Sequence, residues 1–174
     1  LPTRRSSDLA FKNQIPQAIN ACISGIPYGT SDIGGYISYT SHEGRPEWST
    51  PTQRELFTRW FQFGTFSPIF RIHGKGERAL FSDNWDAQTK KILLKYDDLR
   101  YRLLPYIYSL SSDVTMHNYT IMRSLAFDFR NDPKIQDIPD QYMFGPAFMV
   151  NPVTEQLYSG ANANQSGTTR KVYL

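Results

Sequence analysis

The sequence predicts an α/β fold, part of a parallel barrel of strand-helix units with further β structure behind it. Helical and extended patterns alternate from residue 10 to about residue 140, and polar residues collect at the ends of the extended runs. Strands separated by helices form parallel βα units. Roughly three such units are present, too few to close a barrel of eight. The composition, 40% hydrophobic and 20% charged over 174 residues, is that of one globular domain with a modest core.

Taken in order, the chain opens with L-P-T-R-R-S-S-D-L. Residues 1–9 resemble the translation of a short-read sequencing adaptor and are set aside from the fold. Pro16 suits the first position of a helix carrying Ala18, Ile19, Cys22 and Ile23 on one face, with Gly25 as its stop. Ile26–Thr30 reads as a strand and Ser38–Ser49 as a polar loop. The next helix has the clearest start in the chain: Thr50 as cap, Pro51 at the first position and Gln53 completing a capping box. Its buried face is predicted to be Leu56, Phe57, Trp60 and Phe61, and its stop Gly64.

A strand over Pro68–Ile72 leads into a glycine-rich loop. Ile92, Tyr96, Leu99, Leu103, Ile107 and Leu110 then recur at helical spacing, with Pro105 expected to kink or split the helix. Thr120–Phe129 alternates as a strand does, Asn131–Asp140 is rich in Asp and Pro, and Tyr142–Val153 reads as another strand. After a loop over Ser159–Thr169, Lys171–Leu174 starts one more. The expected division is a barrel part over residues 10–140 and a β domain opening over 141–174.

Nineteen basic residues against 16 acidic ones give a net charge of only +3, and they are scattered. No nucleic-acid footprint is expected from that distribution. Aromatic residues make up 14% of the chain; flat rings suit the C–H faces of sugars and the filling of a core equally. Cys22 is the only cysteine, which excludes an internal disulfide and a cysteine metal cluster. No cofactor or metal is called for. No apolar run has the length of a membrane span, and the N-terminus carries no signal-peptide core, so the compartment stays open.

The chemistry concentrates between Gly25 and Gly76. G-I-P-Y-G-T-S-D-I-G-G-Y ends one predicted strand and F-S-P-I-F-R-I-H-G-K-G spans the next, which places Asp32, Arg71 and His73 on one rim. Each has a plainer reading. Asp32 before two glycines suits a turn; Arg71 has Glu55 and Glu77 as candidate surface partners; His73 could be structural, although Gly74 and Gly76 let the backbone approach a ligand closely. Trp60 reads as core, and His42 and His117 as solvated. Asn118-Tyr119-Thr120 and Asn164-Gln165-Ser166 match glycosylation acceptors, triplets that are frequent by chance.

Four stretches, in this order, resemble glycoside hydrolase family 31: D-I-G-G-Y at Asp32–Tyr36, E-L-F-T-R-W-F-Q-F-G-T-F-S-P-I-F-R-I-H-G at Glu55–Gly74, M-R-S-L at Met122–Leu125 and Q-Y-M-F-G-P-A-F-M-V-N-P-V at Gln141–Val153. The resemblance runs from about Phe11 to the end. It implies the C-terminal part of a (β/α)8 TIM barrel followed by the start of a β-sandwich domain. It also implies a retaining α-glycosidase in which one aspartate attacks the anomeric carbon and a second protonates the leaving oxygen. Both aspartates lie upstream in the family, so these 174 residues are expected to be inactive alone.

What the family would leave here is one wall of the sugar site. Asp32 and His73 would bond sugar hydroxyls, Arg71 would hold the carboxylate network, and Phe70 and Tyr36 would line the pocket. The details are most similar to the bacterial α-xylosidase branch, with an oligosaccharide substrate and a periplasmic or secreted parent. An α-glucosidase or 4-α-glucosyltransferase of the same family, and a catalytically dead carbohydrate-binding homologue, stay open as alternatives. Gly29 and Ser124 depart from the pattern, standing where the family commonly has an aromatic, usually Trp, and a Pro.

Overall fold

The computed structural model describes residues 5–36, 48, 50–159 and 169–173. His42, most of the Ser38–Ser49 loop and the Asn164 triplet lie outside the described residues. Three helices come first, α1 (Arg5–Ile23), α2 (Pro51–Thr65) and α3 (Ala87–His117). Three short strands follow, β1 (Met122–Ser124), β2 (Tyr142–Phe144) and β3 (Phe148–Val150). They form one antiparallel sheet in the order β1-β2-β3, with Met122 opposite Phe144 and Tyr142 opposite Val150. The expected division near Asp140 falls within this sheet, between β1 and β2.

Helix α1 starts at Arg5, so Pro16 is internal rather than first. The stripe Phe11, Ile15, Ile19 and Cys22 is buried, and Phe11 stacks on Trp60 of α2 at 5.1 Å between ring centroids. Two fully buried side chains on the N-terminal side of the proline contribute about 1.5–3 kcal/mol each, enough to offset its cost of about 3 kcal/mol within a helix.

Helix α2 begins as its sequence predicts. Thr50 Oγ1 accepts from the Gln53 N–H while the Gln53 side chain accepts from the Thr50 N–H, both at 3.3 Å. Phe57, Trp60 and Phe61 are buried and Leu56 packs at the edge of the core. Gly64 does not stop the helix, which runs on to Thr65. A Cβ at Gly64 would come within 2.8 Å of Ile33 and 3.0 Å of Phe70, so glycine serves close packing here.

Helix α3 passes through Pro105 without splitting. The proline sits on the exposed face, where a carbonyl released by its missing N–H meets water. Leu93, Leu103, Ile107 and Leu110 form the buried face, and Asn118 ends the helix in the left-handed conformation at φ 55°. His117 is exposed beside Asp113, with 3.2 Å between Nδ1 and Oδ1.

Asp86 caps α3, its carboxylate accepting from the Thr89 N–H at 2.8 Å and hydroxyl at 3.1 Å, and meeting Arg54 Nε of α2 at 2.9 Å. The Thr89 amide bond, more than Arg54, holds the carboxyl below its ordinary value of 3.8. A lowered folded value means stability that is complete above the unfolded value and is lost as pH falls through the folded one. Asp86→Ala is expected to cost about 1 kcal/mol at neutral pH and nothing in strong acid, read from denaturation midpoints at both pH values.

The predicted strands differ most. Ile26–Thr30 and Pro68–Ile72 run side by side without a ladder; one main-chain bond joins them, from the Ile69 N–H to the Gly29 carbonyl at 3.1 Å. Pro27 and Pro68 bring no N–H to either segment. The stretch Thr120–Phe129 pairs only over β1, because Ser124 Oγ accepts from the Ala126 N–H and turns Leu125–Phe127 into a 3-10 helix. Tyr142–Val153 is a hairpin rather than one strand, turning at Gly145, whose N–H donates to Ile121 O at 2.8 Å. Residues 171–173 form no strand; the Gln141 side chain brackets Tyr173, accepting from its N–H at 2.9 Å and donating to its carbonyl at 3.2 Å.

The core is aromatic. Phe57 stacks on Trp85 at 4.6 Å and meets the edge of Trp48 at 4.8 Å, while Phe61 meets Phe70 at 4.7 Å. Among the described residues nine rings are buried, and as many are exposed.

Candidate functional site

The site is built on two loops held against this aromatic layer. In the first, Ile33 is buried and the Gly35 N–H closes a turn on Asp32 O at 2.7 Å. Gly34 has φ +82°, and a Cβ there would come 2.6 Å from Trp48 and 2.7 Å from Phe57, so only glycine lets the chain lie on those rings. With Ile33 anchored inward, the neighbouring Asp32 carboxylate faces outward. Trp60 Nε1 donates to Ser31 Oγ at 2.8 Å and fixes the approach to the turn.

The second loop follows Phe70. Arg71 Nη2 meets Asp32 Oδ1 at 3.4 Å, with side chains 51% and 32% exposed. Neither carboxylate proposed as its surface partner takes that part. Glu55 instead accepts from the Leu157 and Tyr158 N–H groups and the Ser159 hydroxyl, and Glu77 accepts from the Ala79 N–H at 2.9 Å. The His73 ring lies 5.5 Å from that of Tyr36, both exposed, and the Lys75 N–H donates to Tyr36 O at 2.7 Å. Phe70 is half-buried against Phe61, with the Arg100 guanidinium 5.8 Å from its centroid, so its contacts are on the core side.

Asp32 is thus brought to Arg71 and Tyr36 to His73, while Phe70 packs toward the core. An exposed pair of this length is worth at most about 1 kcal/mol. Among the described residues, no group of three or more His, Cys, Asp or Glu is placed to hold a metal ion.

Two buried arginines escaped the sequence reading. Arg78 donates to carbonyls on both loops, and Arg100 of α3 donates to Thr65 O at 2.9 Å, Ser67 O at 2.6 Å and Pro68 O at 2.8 Å, just before Phe70. Burial pushes the Arg100 guanidinium down to about 10, which leaves it charged at neutral pH. An arginine behind G-K-G-E, or one in a helix rich in charge, reads as a solvated side chain until its burial is known.

Comparison with known proteins decides what scaffold this is. Residues 4–110 match the Glycosyl hydrolases family 31 TIM-barrel domain, and residues 118–174 match the Glycosyl hydrolase family 31 C-terminal domain. The chain belongs to glycoside hydrolase family 31. An α-xylosidase of Saccharolobus solfataricus is 47% identical over 147 residues, covering 83% of this chain and 19% of that protein. The crystal structure of a family 31 α-xylosidase from Xanthomonas citri aligns with a TM-score of 0.76 at 44% identity, covering 83% of this chain and 16% of the other. A family 31 α-xylosidase from a soil metagenome, complexed with xylose, aligns with a TM-score of 0.70 at 31% identity, covering 82% and 23%. The chain spans about a fifth of the length of these relatives, and α/β barrel architecture is the shared fold.

Gly29 has open space beside it. A Cβ there would meet nothing within 4 Å, and the backbone lies outside the left-handed region. Gly29→Trp in the full-length protein is expected to cause no loss of melting temperature. An overfilled site would instead lose about 1–3 kcal/mol, which a thermal melt would register.

Proposed function

We propose that this chain forms one wall of the sugar site of a retaining α-glycosidase that removes terminal α-linked xylose from oligosaccharides. The observation that carries the reading is the Asp32–Arg71 pair, with the His73 ring against Tyr36, on two loops joined main chain to main chain. A carboxylate accepts from two adjacent hydroxyls, and a neutral imidazole donates or accepts. In this reading Asp32 and His73 bond the sugar, Arg71 orients the Asp32 carboxylate, and Tyr36 and Phe70 line the pocket. The nucleophile and the acid/base are carboxylates outside residues 1–174, so these residues alone release no product. The antiparallel sheet and the segment after it open a β-sandwich domain.

Xylose as the preferred sugar is supported by α-xylosidases at 47% and 44% identity. The test is release of aryl alcohol from α-xyloside and α-glucoside substrates by the full-length parent. Faster turnover of the xyloside supports the reading. Preference for the glucoside moves it to an α-glucosidase or 4-α-glucosyltransferase, and a folded parent that binds sugar without turnover is a carbohydrate-binding homologue.

A further inference from the structure

Arg78 stands behind both loops of the site and is only 5% exposed. It donates to two carbonyls of the Asp32 loop, Ile33 O at 2.8 Å and Tyr36 O at 3.3 Å. It also donates to two of the His73 loop, Lys75 O at 3.1 Å and His73 O itself at 3.2 Å. The guanidinium lies over Trp48, 5.0 Å from the ring centroid, against the same ring on which Gly34 rests. On the far side the backbone closes on it: a Cβ at Gly74, where φ is +147°, would come 2.5 Å from Arg78 Cζ. The guanidinium therefore fills the space between the two loops.

We propose that Arg78 is a positioning residue for the sugar site, setting the distance and angle between Asp32 and His73 without touching the substrate. This rests on the reading of Asp32 and His73 as partners of sugar hydroxyls. A planar fork reaches several carbonyls at fixed angles, which the single ammonium of lysine does not. The Asp32–Arg71 pair is too long and too exposed to hold the loops in register. Misplacement of binding groups by about 1 Å is enough to cost up to about a hundredfold in rate.

The experiment is a double-mutant cycle on the full-length enzyme, with Arg78→Lys, Asp32→Asn and the pair assayed on aryl α-xyloside and α-glucoside. Arg78→Lys is expected to lower kcat/KM at least about tenfold in the wild-type background, in a protein that still folds and melts cooperatively, at a lower temperature. In the Asp32→Asn background, where the positioned group is already spoiled, it should cost less than about threefold. Losses that multiply, or full activity in a folded Arg78→Lys enzyme, overturn the positioning role alone. Near wild-type kinetics for Asp32→Asn and His73→Ala overturn the site reading and the positioning role with it. Should Arg78→Lys not fold, Arg78→Gln, which keeps two donors and buries no charge, goes through the same cycle.

Discussion

Asp32→Asn and His73→Ala in the full-length enzyme are expected to lower kcat/KM by about two orders of magnitude, with little change in melting temperature. A hydrogen bond to a charged group contributes about 1.5–3 kcal/mol, and about 2.7 kcal/mol corresponds to a hundredfold in rate. Bonds to hydroxyls beside the anomeric centre strengthen as the ring flattens toward the oxocarbenium-like transition state, so the loss should appear in kcat as well as KM. Stability should hardly move. Asp32 and Arg71 are part-exposed and His73 is exposed, and removing such groups costs at most about 1 kcal/mol. Steady-state kinetics alongside a thermal melt separate the two effects; near wild-type kinetics for both variants would remove these residues from the sugar site.

Arg100→Met is expected to be the most destabilising of these substitutions, at about 3 kcal/mol. Arg100 reaches from α3 to the end of α2, where Thr65 O is one of the carbonyls a helix leaves unbonded. Ser67 O and Pro68 O are taken by the same guanidinium, and a cation there also opposes the partial negative charge of the helix C-terminus. Each buried carbonyl left without a donor costs about 1–3 kcal/mol, and methionine replaces the volume but none of the bonds. Because these carbonyls immediately precede Phe70, Arg71 and His73, activity should fall along with stability. Arg100→Lys, with a single point of donation, should recover only part of the loss. Denaturant midpoints of the three proteins provide the measurement, and an unchanged midpoint for Arg100→Met would show that water replaces the guanidinium at no cost.

The sequence by itself determined what depends on near neighbours along the chain. The capping box at Thr50 and Gln53 needs only a three-residue spacing, and the apolar face of α3 only a helical period. That Asp32 and Arg71 would meet followed from where their motifs stand in the sequence, and the pair forms although the segments before them build no ladder. Tertiary structure decided whatever depends on contacts distant in sequence. Phe11 and Ile15 had to find the core before α1 could run through Pro16, and Ser124 had to outcompete a ladder before the strand at β1 stopped. Arg78 and Arg100 are buried against carbonyls that include ones more than 30 residues away in the chain, Ile33 O and Thr65 O. An arginine has no local signature for that, since the same side chain is as well satisfied by water as by four carbonyls until packing removes the water.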